Sequence, residues 1–325
     1  MTADALVIGV DVGGTKVSVA TLEAGRTGEP LIHPTDTSGS DALISQIADQ
    51  VGEALAGRTA AAVGIGIPSV VDFATGTAKT SVNVPLRDVP LRAVLGERLG
   101  VPVFVDNDAT VAAFAEAHDE HGHIDVRSLF MFTVGTGVGG GIVIDGRCYR
   151  GATGAAGEVG HTLIAIDASI PAATSFPQPG SLESLSAGHV LDHLAREAAA
   201  AHPDSRLGRL LAANGSVAGP DAVTAAKAGD EVATGCLATL GRRLGIGVAN
   251  AINVFDPEVV AIGGGVSSAG ELLLAPLRAA ALEYVLDGVG SATEIRIARS
   301  GPQAGVRGAG LLARSELNSQ NGEAR

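Results

Sequence analysis

One pattern constrains this chain more than any other, and it occurs twice: an apolar β-branched run, a glycine-rich turn, and a second apolar run. The first copy is ALVIGVDVGGTKVSVATL (5–22) and the second is SLFMFTVGTGVGGGIVIDG (128–146). Each reads as a β-hairpin. The turns rule out two familiar phosphate motifs. GVDVGGTK (9–16) approaches a Walker A loop, but it ends Gly-Thr-Lys rather than Gly-Lys-Thr and leads into a strand instead of a helix. GTGVGG (135–140) satisfies G-x-G-x-x-G, yet strand-like IVIDG follows it where a dinucleotide fingerprint opens a helix. Either turn alone is read most simply as an ordinary hairpin. Together, their bare backbone N–H groups and Thr hydroxyls suit the oxygens of one triphosphate.

The remaining pattern is α/β. A third strand is expected within 30–36, a helix over 41–56, strands at 61–68 and 101–108, and helices at 91–99 and 109–118. The polar stretch 118–127 breaks the pattern before the second hairpin restarts it. Most of 182–254 is Ala/Leu-rich and helical, with further strands at 259–265 and 294–300 and a turn-rich loop at 171–180. Two similar halves are expected: an N-terminal lobe over 1–118, a larger lobe over 119–302, and a polar, frayed tail at 318–325.

Composition narrows the function. A length of 325 residues suits two domains, and 46% hydrophobic residues supply their cores. The net charge of −13 disfavours a nucleic-acid partner. Cys148 and Cys236 are the only cysteines, too few for a disulfide framework or a cysteine-built metal site, which fits a reducing compartment. No basic n-region opens the chain and no run of 18 apolar residues occurs in it, so it reads as cytoplasmic, with no leader domain and no membrane partner.

Several polar residues stand out against this background. Asp11, in the first turn, suits a Mg2+ ion on phosphates, or simple turn capping. Asp106, Asn107 and Asp108 end an apolar strand and open a helix. Capping explains one of them, and an Asn-Asp pair there also suits a sugar hydroxyl, with Asp108 taking its proton as phosphorus is attacked. Glu158 and His161, in the small-residue stretch GATGAAGEVGH (151–161), are suited to gripping hydroxyls. His118, His121 and His123 look like a ligand cluster, but a solvated connector is the favoured reading.

In this order the pieces resemble the ROK family (repressors, open reading frames and sugar kinases), most closely its bacterial glucokinase-like members, over residues 6–315. The landmarks are DVGGTK (11–16), GIPSVVD (66–72), VNVP (82–85), VDNDATVAAFAE (105–116), GTGVGGGIVIDG (135–146), GATGAAGEVGH (151–161), GSLE (180–183) and NAINVFDPEVVAIGGGVS (250–267). The resemblance implies an α/β, actin-like (ribonuclease H-like) ATPase fold of two lobes with an interlobe cleft. It also implies a C-terminal helix near 303–316 that returns to the first lobe. It makes Asp108 the catalytic base and Asn107 a sugar-hydroxyl ligand. Asn83, Glu158, His161 and Glu183 match further sugar-contacting positions, with Ser69 beside the pocket. Asp11, Gly13, Gly14, Thr15, Lys16, Thr136 and Gly137 match the two phosphate turns, and Gly264 with Gly265 matches the strip beside the adenosine.

Two departures from the family follow. Ser69 replaces the Gly of a GxPG turn, which leaves the hexose open. Thr174, Phe176 and Ser181 stand where relatives carry zinc-binding cysteines, so no structural zinc is expected. Phe176 is instead expected to bury an apolar anchor, prolines at 171, 177 and 179 to stiffen the loop from Asp167 to Gly180, and a hydrogen bond to orient His161. The activity implied is an ATP- and Mg2+-dependent hexokinase, glucose to glucose 6-phosphate, working as a homodimer. Mannose, an N-acetylhexosamine or an inositol-like polyol as acceptor, and polyphosphate as donor, stay open. A sugar-sensing regulator is disfavoured by the acidic chain and the first strand near residue 5, and a silent sugar-binding protein by Asp108 with both turns.

Overall fold

The computed structural model describes residues 5–81, 83–165, 172–320 and 322. Val82 of the VNVP landmark and positions 167–171 of the expected loop, Pro171 among them, lie outside the described residues. The chain divides into two compact units. One takes the chain as far as Leu129, then Gly141–Gly157, then Ser300 onward; the other is Phe130–Gly140 with Glu158–Arg299. These are not the continuous stretches 1–118 and 119–302, because the second hairpin is shared: its last strand turns a face to the helix that begins at Asp108. A Cβ on Gly141 would come within 2.4 Å of the Ala109 carbonyl oxygen.

The first unit starts with β1 (Val7–Val12), β2 (Lys16–Glu23), β3 (Arg26–Thr27), β4 (Leu31–Pro34), α1 (Ser40–Leu55) and β5 (Ala62–Ile67). It continues with β6 (Ser69–Asp72), β7 (Thr77–Ser81), β8 (Arg87–Val89), α2 (Leu91–Leu99), β9 (Val103–Asn107) and α3 (Asp108–Glu116). Its main sheet has the order β3-β2-β1-β5-β9, with β4 also on β2. The hairpin β1–β2 is antiparallel, and β5 and β9 add in parallel, which aligns Asp11 with Gly66 and Gly66 with Asp106. β6, β7 and β8 form a separate small sheet that the sequence pattern did not announce.

Alternation along β1 sorts its residues between two faces. Ile8, Val10 and Val12 join the apolar core with Leu43, Ile47 and Val51 of α1 and Leu91 and Leu95 of α2. Gly9 and Asp11 face the last helix, α10 (Ala304–Gln320). That helix lies directly on backbone: a Cβ on Gly9 would stand 1.9 Å from the Val306 carbonyl oxygen, and one on Gly64 1.8 Å from that of Ala309. Any side chain at these two positions would lift α10 off the sheet. Its helical residues run on through Asn318 to Gln320, so the expected fraying does not begin at 318.

The second hairpin is β10 (Leu129–Val134) and β11 (Val138–Ile144), followed by β12 (Arg147–Cys148). Then come α4 (Leu182–Ser186), α5 (Gly188–Ala201), α6 (Arg206–Asn214), α7 (Gly219–Lys227), α8 (Glu231–Phe255), β13 (Val259–Gly263), α9 (Glu271–Tyr284) and β14 (Glu294–Ile297). The sheet order β12-β11-β10-β13-β14 repeats the plan of the first, a hairpin extended by later strands. No helix among the described residues is long and apolar enough to cross a membrane.

Candidate active site

The strand expected over 101–108 ends one residue early, and the reason is a cap. Asn107 closes β9, and its Oδ1 accepts the N–H groups of Ala109 at 2.9 Å and Thr110 at 3.1 Å, so the helix starts at Asp108. The capping residue of the trio is therefore Asn107. Its Nδ2 donates to the Ser69 carbonyl at 3.4 Å, and the Ser69 hydroxyl donates to the Thr80 carbonyl at 2.7 Å, tying this strand end to the small sheet. Asp108, first residue of α3, has Oδ1 accepting the Ala109 N–H at 2.8 Å. Asp106 is 2% exposed, and its Oδ2 accepts from Arg150 Nε at 2.7 Å. Burial raises the Asp106 carboxyl, and the Arg150 guanidinium opposes that rise.

The first glycine turn carries Asp11 at the end of β1. Desolvation, then the negative charge of Asp108, raise the Asp11 pKa to about 6, with Lys16 pulling the other way. A carboxylate pair in this setting is relieved by a hard cation with oxygen ligands, so the donors fit Mg2+. Gly13 N–H donates to the Lys16 carbonyl at 2.8 Å and closes the turn. Asn83 packs on Gly14, where a Cβ would meet that of Asn83 at 3.2 Å.

The second turn, Gly135–Gly137, is closed by Gly135 N–H on the Gly137 carbonyl at 2.9 Å. Glu183, on the first turn of α4, accepts the Val138 N–H through Oε2 at 2.8 Å. This expected sugar ligand is thus also an anchor of the second glycine turn. Beside it lies a pocket of about 340 Å³ lined by Gly135, Thr136, His189, Pro220, Val223 and Gly265 among others. Gly264 lies against the Val134 backbone at φ +82°, leaving Gly265 to form pocket wall. His189 and Pro220 carry no motif that the sequence reading could have used.

Glu158 and His161 bracket a single 3-10 turn, with Glu158 Oε2 and His161 Nε2 3.8 Å apart. Phe176 does not bury an anchor; it is 71% exposed, and its ring meets the His161 ring edge-on at 5.4 Å between centroids. The loop before α4 is clamped by Gln178, whose amide accepts the Ala173 N–H at 2.7 Å and donates to the Ala173 carbonyl at 2.8 Å. Ser181 is fully buried, and its hydroxyl accepts the Ser184 N–H as the N-cap of α4. With Thr174 and Phe176 at the other two positions, the donor set does not fit zinc. The histidine trio is dispersed as well. His118 bonds the Phe114 carbonyl and burial lowers its pKa to about 4, while His121 faces Glu120 and His123 faces Asp119. Among the described residues, no group of three or more His, Cys, Asp or Glu could hold a metal.

Two sheets of repeated plan, each opened by a glycine-turn hairpin, define the α/β, actin-like (ribonuclease H-like) ATPase fold. The chain belongs to the ROK family, whose model matches residues 7–316. It is 35% identical to a glucokinase of Halalkalibacterium halodurans over 98% of this chain and 97% of that one. It is 32% identical to an N-acetyl-D-glucosamine kinase of Vibrio parahaemolyticus, over 94% of this chain and 98% of that one. Among solved structures, the ROK family glucokinase from Streptomyces griseus in complex with glucose and AMPPNP superposes with a TM-score of 0.80 at 32% identity, covering 95% of this chain and 99% of that one.

Proposed function

We propose that this chain is a sugar kinase that transfers the γ-phosphoryl group of ATP to the 6-hydroxyl of glucose. The observation that carries the reading is a pair of carboxylates, Asp11 at the end of β1 and Asp108 at the start of α3 after β9, on the two strands that flank β5 and close enough for the charge of one to act on the other, one suited to a cation and the other to a proton. Asp108 takes the hydroxyl proton as phosphorus is attacked. Asn83, Asn107, Glu158, His161 and Glu183 hold sugar hydroxyls, and Ser69 fixes the Asn107 amide from behind. The backbone of Gly13, Gly14 and Thr15, with Lys16, and of Thr136 and Gly137 holds the phosphates, and Gly264 and Gly265 border the adenosine. Asp11 would hold Mg2+, which would supply neutralisation of charge on the phosphates. The full-length similarity to glucokinases supports glucose as acceptor. The similarity to an N-acetyl-D-glucosamine kinase supports an N-acetylated hexose as the second reading. A homodimer in the cytoplasm completes the proposal.

The test is a panel of glucose, mannose, N-acetylglucosamine and inositol, each with Mg-ATP or polyphosphate, read as phosphorylated product by 31P NMR. Glucose 6-phosphate from ATP is the expected main product, and no phosphorylated product from any pairing would remove the kinase reading. Asp108→Asn should keep glucose binding while kcat falls by a factor on the order of 10² or more.

A further inference from the structure

The capped strand end leaves Asp106 unaccounted for. It is a buried carboxylate one residue before the cap, with Oδ2 on Arg150 Nε at 2.7 Å and Oδ1 accepting the Asn107 N–H at 2.9 Å. Arg150 comes from the residue preceding the 151–157 turn. Its guanidinium lies over the Phe73 ring at 3.5 Å from the centroid, and Nη2 is 3.6 Å from Glu316 Oε1 on α10. A buried ion pair is poor evidence for stability, since its desolvation cost rivals the attraction gained. What the arrangement supplies is direction. One carboxylate, fixed by a guanidinium that is itself held by an aromatic face and a second carboxylate, orients the peptide that carries both Asn107 and the approach to Asp108.

We propose that Arg150 and Asp106 are positioning residues for the base: Arg150 fixes the Asp106 carboxylate, and Asp106 fixes the Asn107 peptide and with it the placement of Asp108. The proposal rests on the reading of Asp108 as base. Neither residue touches substrate; both act through the backbone.

The test compares Arg150→Met, Arg150→Lys, Asp106→Asn and the double variant Asp106→Asn/Arg150→Met, with Asp108→Asn alongside. In Arg150→Met, kcat for glucose phosphorylation should fall by a factor on the order of 10 to 100, the range a misplaced catalytic group produces, while the KM for ATP stays within about twofold. Arg150→Lys should recover only part of that loss, because an ammonium cannot copy the Nε donor stacked on Phe73. The double variant separates the two roles. It removes both charges of the buried pair and leaves only the part-exposed Glu316 without its guanidinium, so its Tm should return towards wild type while kcat stays low. A double variant with wild-type Tm and wild-type kcat would overturn the proposal, as would single variants that lose Tm with kcat intact. If Arg150→Met does not fold, the double variant and Arg150→Lys carry the same test, and wild-type kcat in either overturns it. Wild-type turnover in Asp108→Asn would instead sink the base assignment, whatever the pair variants do.

Discussion

The two glycine turns share a sequence pattern and differ in what holds them. The first is held mainly by nearby chain: Gly13 N–H reaches Lys16 across the turn, and Thr35, the residue just after β4, donates its hydroxyl to the Gly13 carbonyl at 2.6 Å. The second is held from a distance. Glu183, 45 residues on, accepts the Val138 N–H, and Gly188 N–H donates to the Gly135 carbonyl at 2.7 Å. One turn is therefore held by its own hairpin and the residue that follows β4, whereas the other depends on how α4 and α5 are placed. Equal motifs do not imply equal sensitivity.

The largest expected effect tests the chemistry of the first turn. Asp11→Asn should keep the hairpin but remove the charge proposed to hold Mg2+, and kcat at saturating Mg-ATP should fall by a factor on the order of 10². Turnover within a few-fold of wild type would make Asp11 a capping residue only. Next, Gly137→Val places a branched side chain where a Cβ would stand 2.4 Å from Glu183 Oε2, displacing the anchor of Val138. The KM for ATP should rise on the order of tenfold, since the turn loses both room and its distant support. Unchanged ATP kinetics in a folded variant would show that the second turn does not need Glu183.

A smaller change belongs to Gly14→Ala. Its Cβ would meet the Asn83 Cβ at 3.2 Å, so Asn83 has to give only a few tenths of an ångström. Roughly a two- to fivefold rise in glucose KM with ATP kinetics nearly unchanged is expected, of the size that displacing one hydroxyl contact produces. A loss seen in ATP kinetics alone would reverse the assignment of Asn83 to the sugar. The smallest effect expected is none. With Mg2+ supplied, chelation of zinc should alter neither kcat nor Tm, because Gln178 and the Ser181 cap hold the segment leading into Glu183. Near-stoichiometric zinc in the purified protein, with activity lost on chelation and restored by zinc but not magnesium, would contradict this.

Much of the fold was legible because it rests on local pattern. Apolar, β-branched runs around glycine marked both hairpins, helical spacing of Leu43, Ile47 and Val51 marked α1, and Gly100 marked the end of α2. The small sheet β6–β8 escaped because Thr77–Ser81 lacks apolar alternation. In the site, residue types marked which groups are candidates for base and phosphate chemistry. They could not show which member of Asp106–Asp108 is the cap, since Asp and Asn serve that role about equally.

By itself the sequence determined the α/β class, the repeated hairpins and the candidacy of Asp11 and Asp108, all of which depend on residue type and near spacing. The tertiary structure alone decided that Arg150 pairs with Asp106, that Glu183 supports the second turn, that Phe176 stands exposed against His161, and that α10 rests on Gly9 and Gly64. The reason is physical. Periodicity and capping act over a few residues, whereas burial of a charge or contact of a helix with a distant strand depends on the whole chain packing, and spacing along the sequence does not encode it.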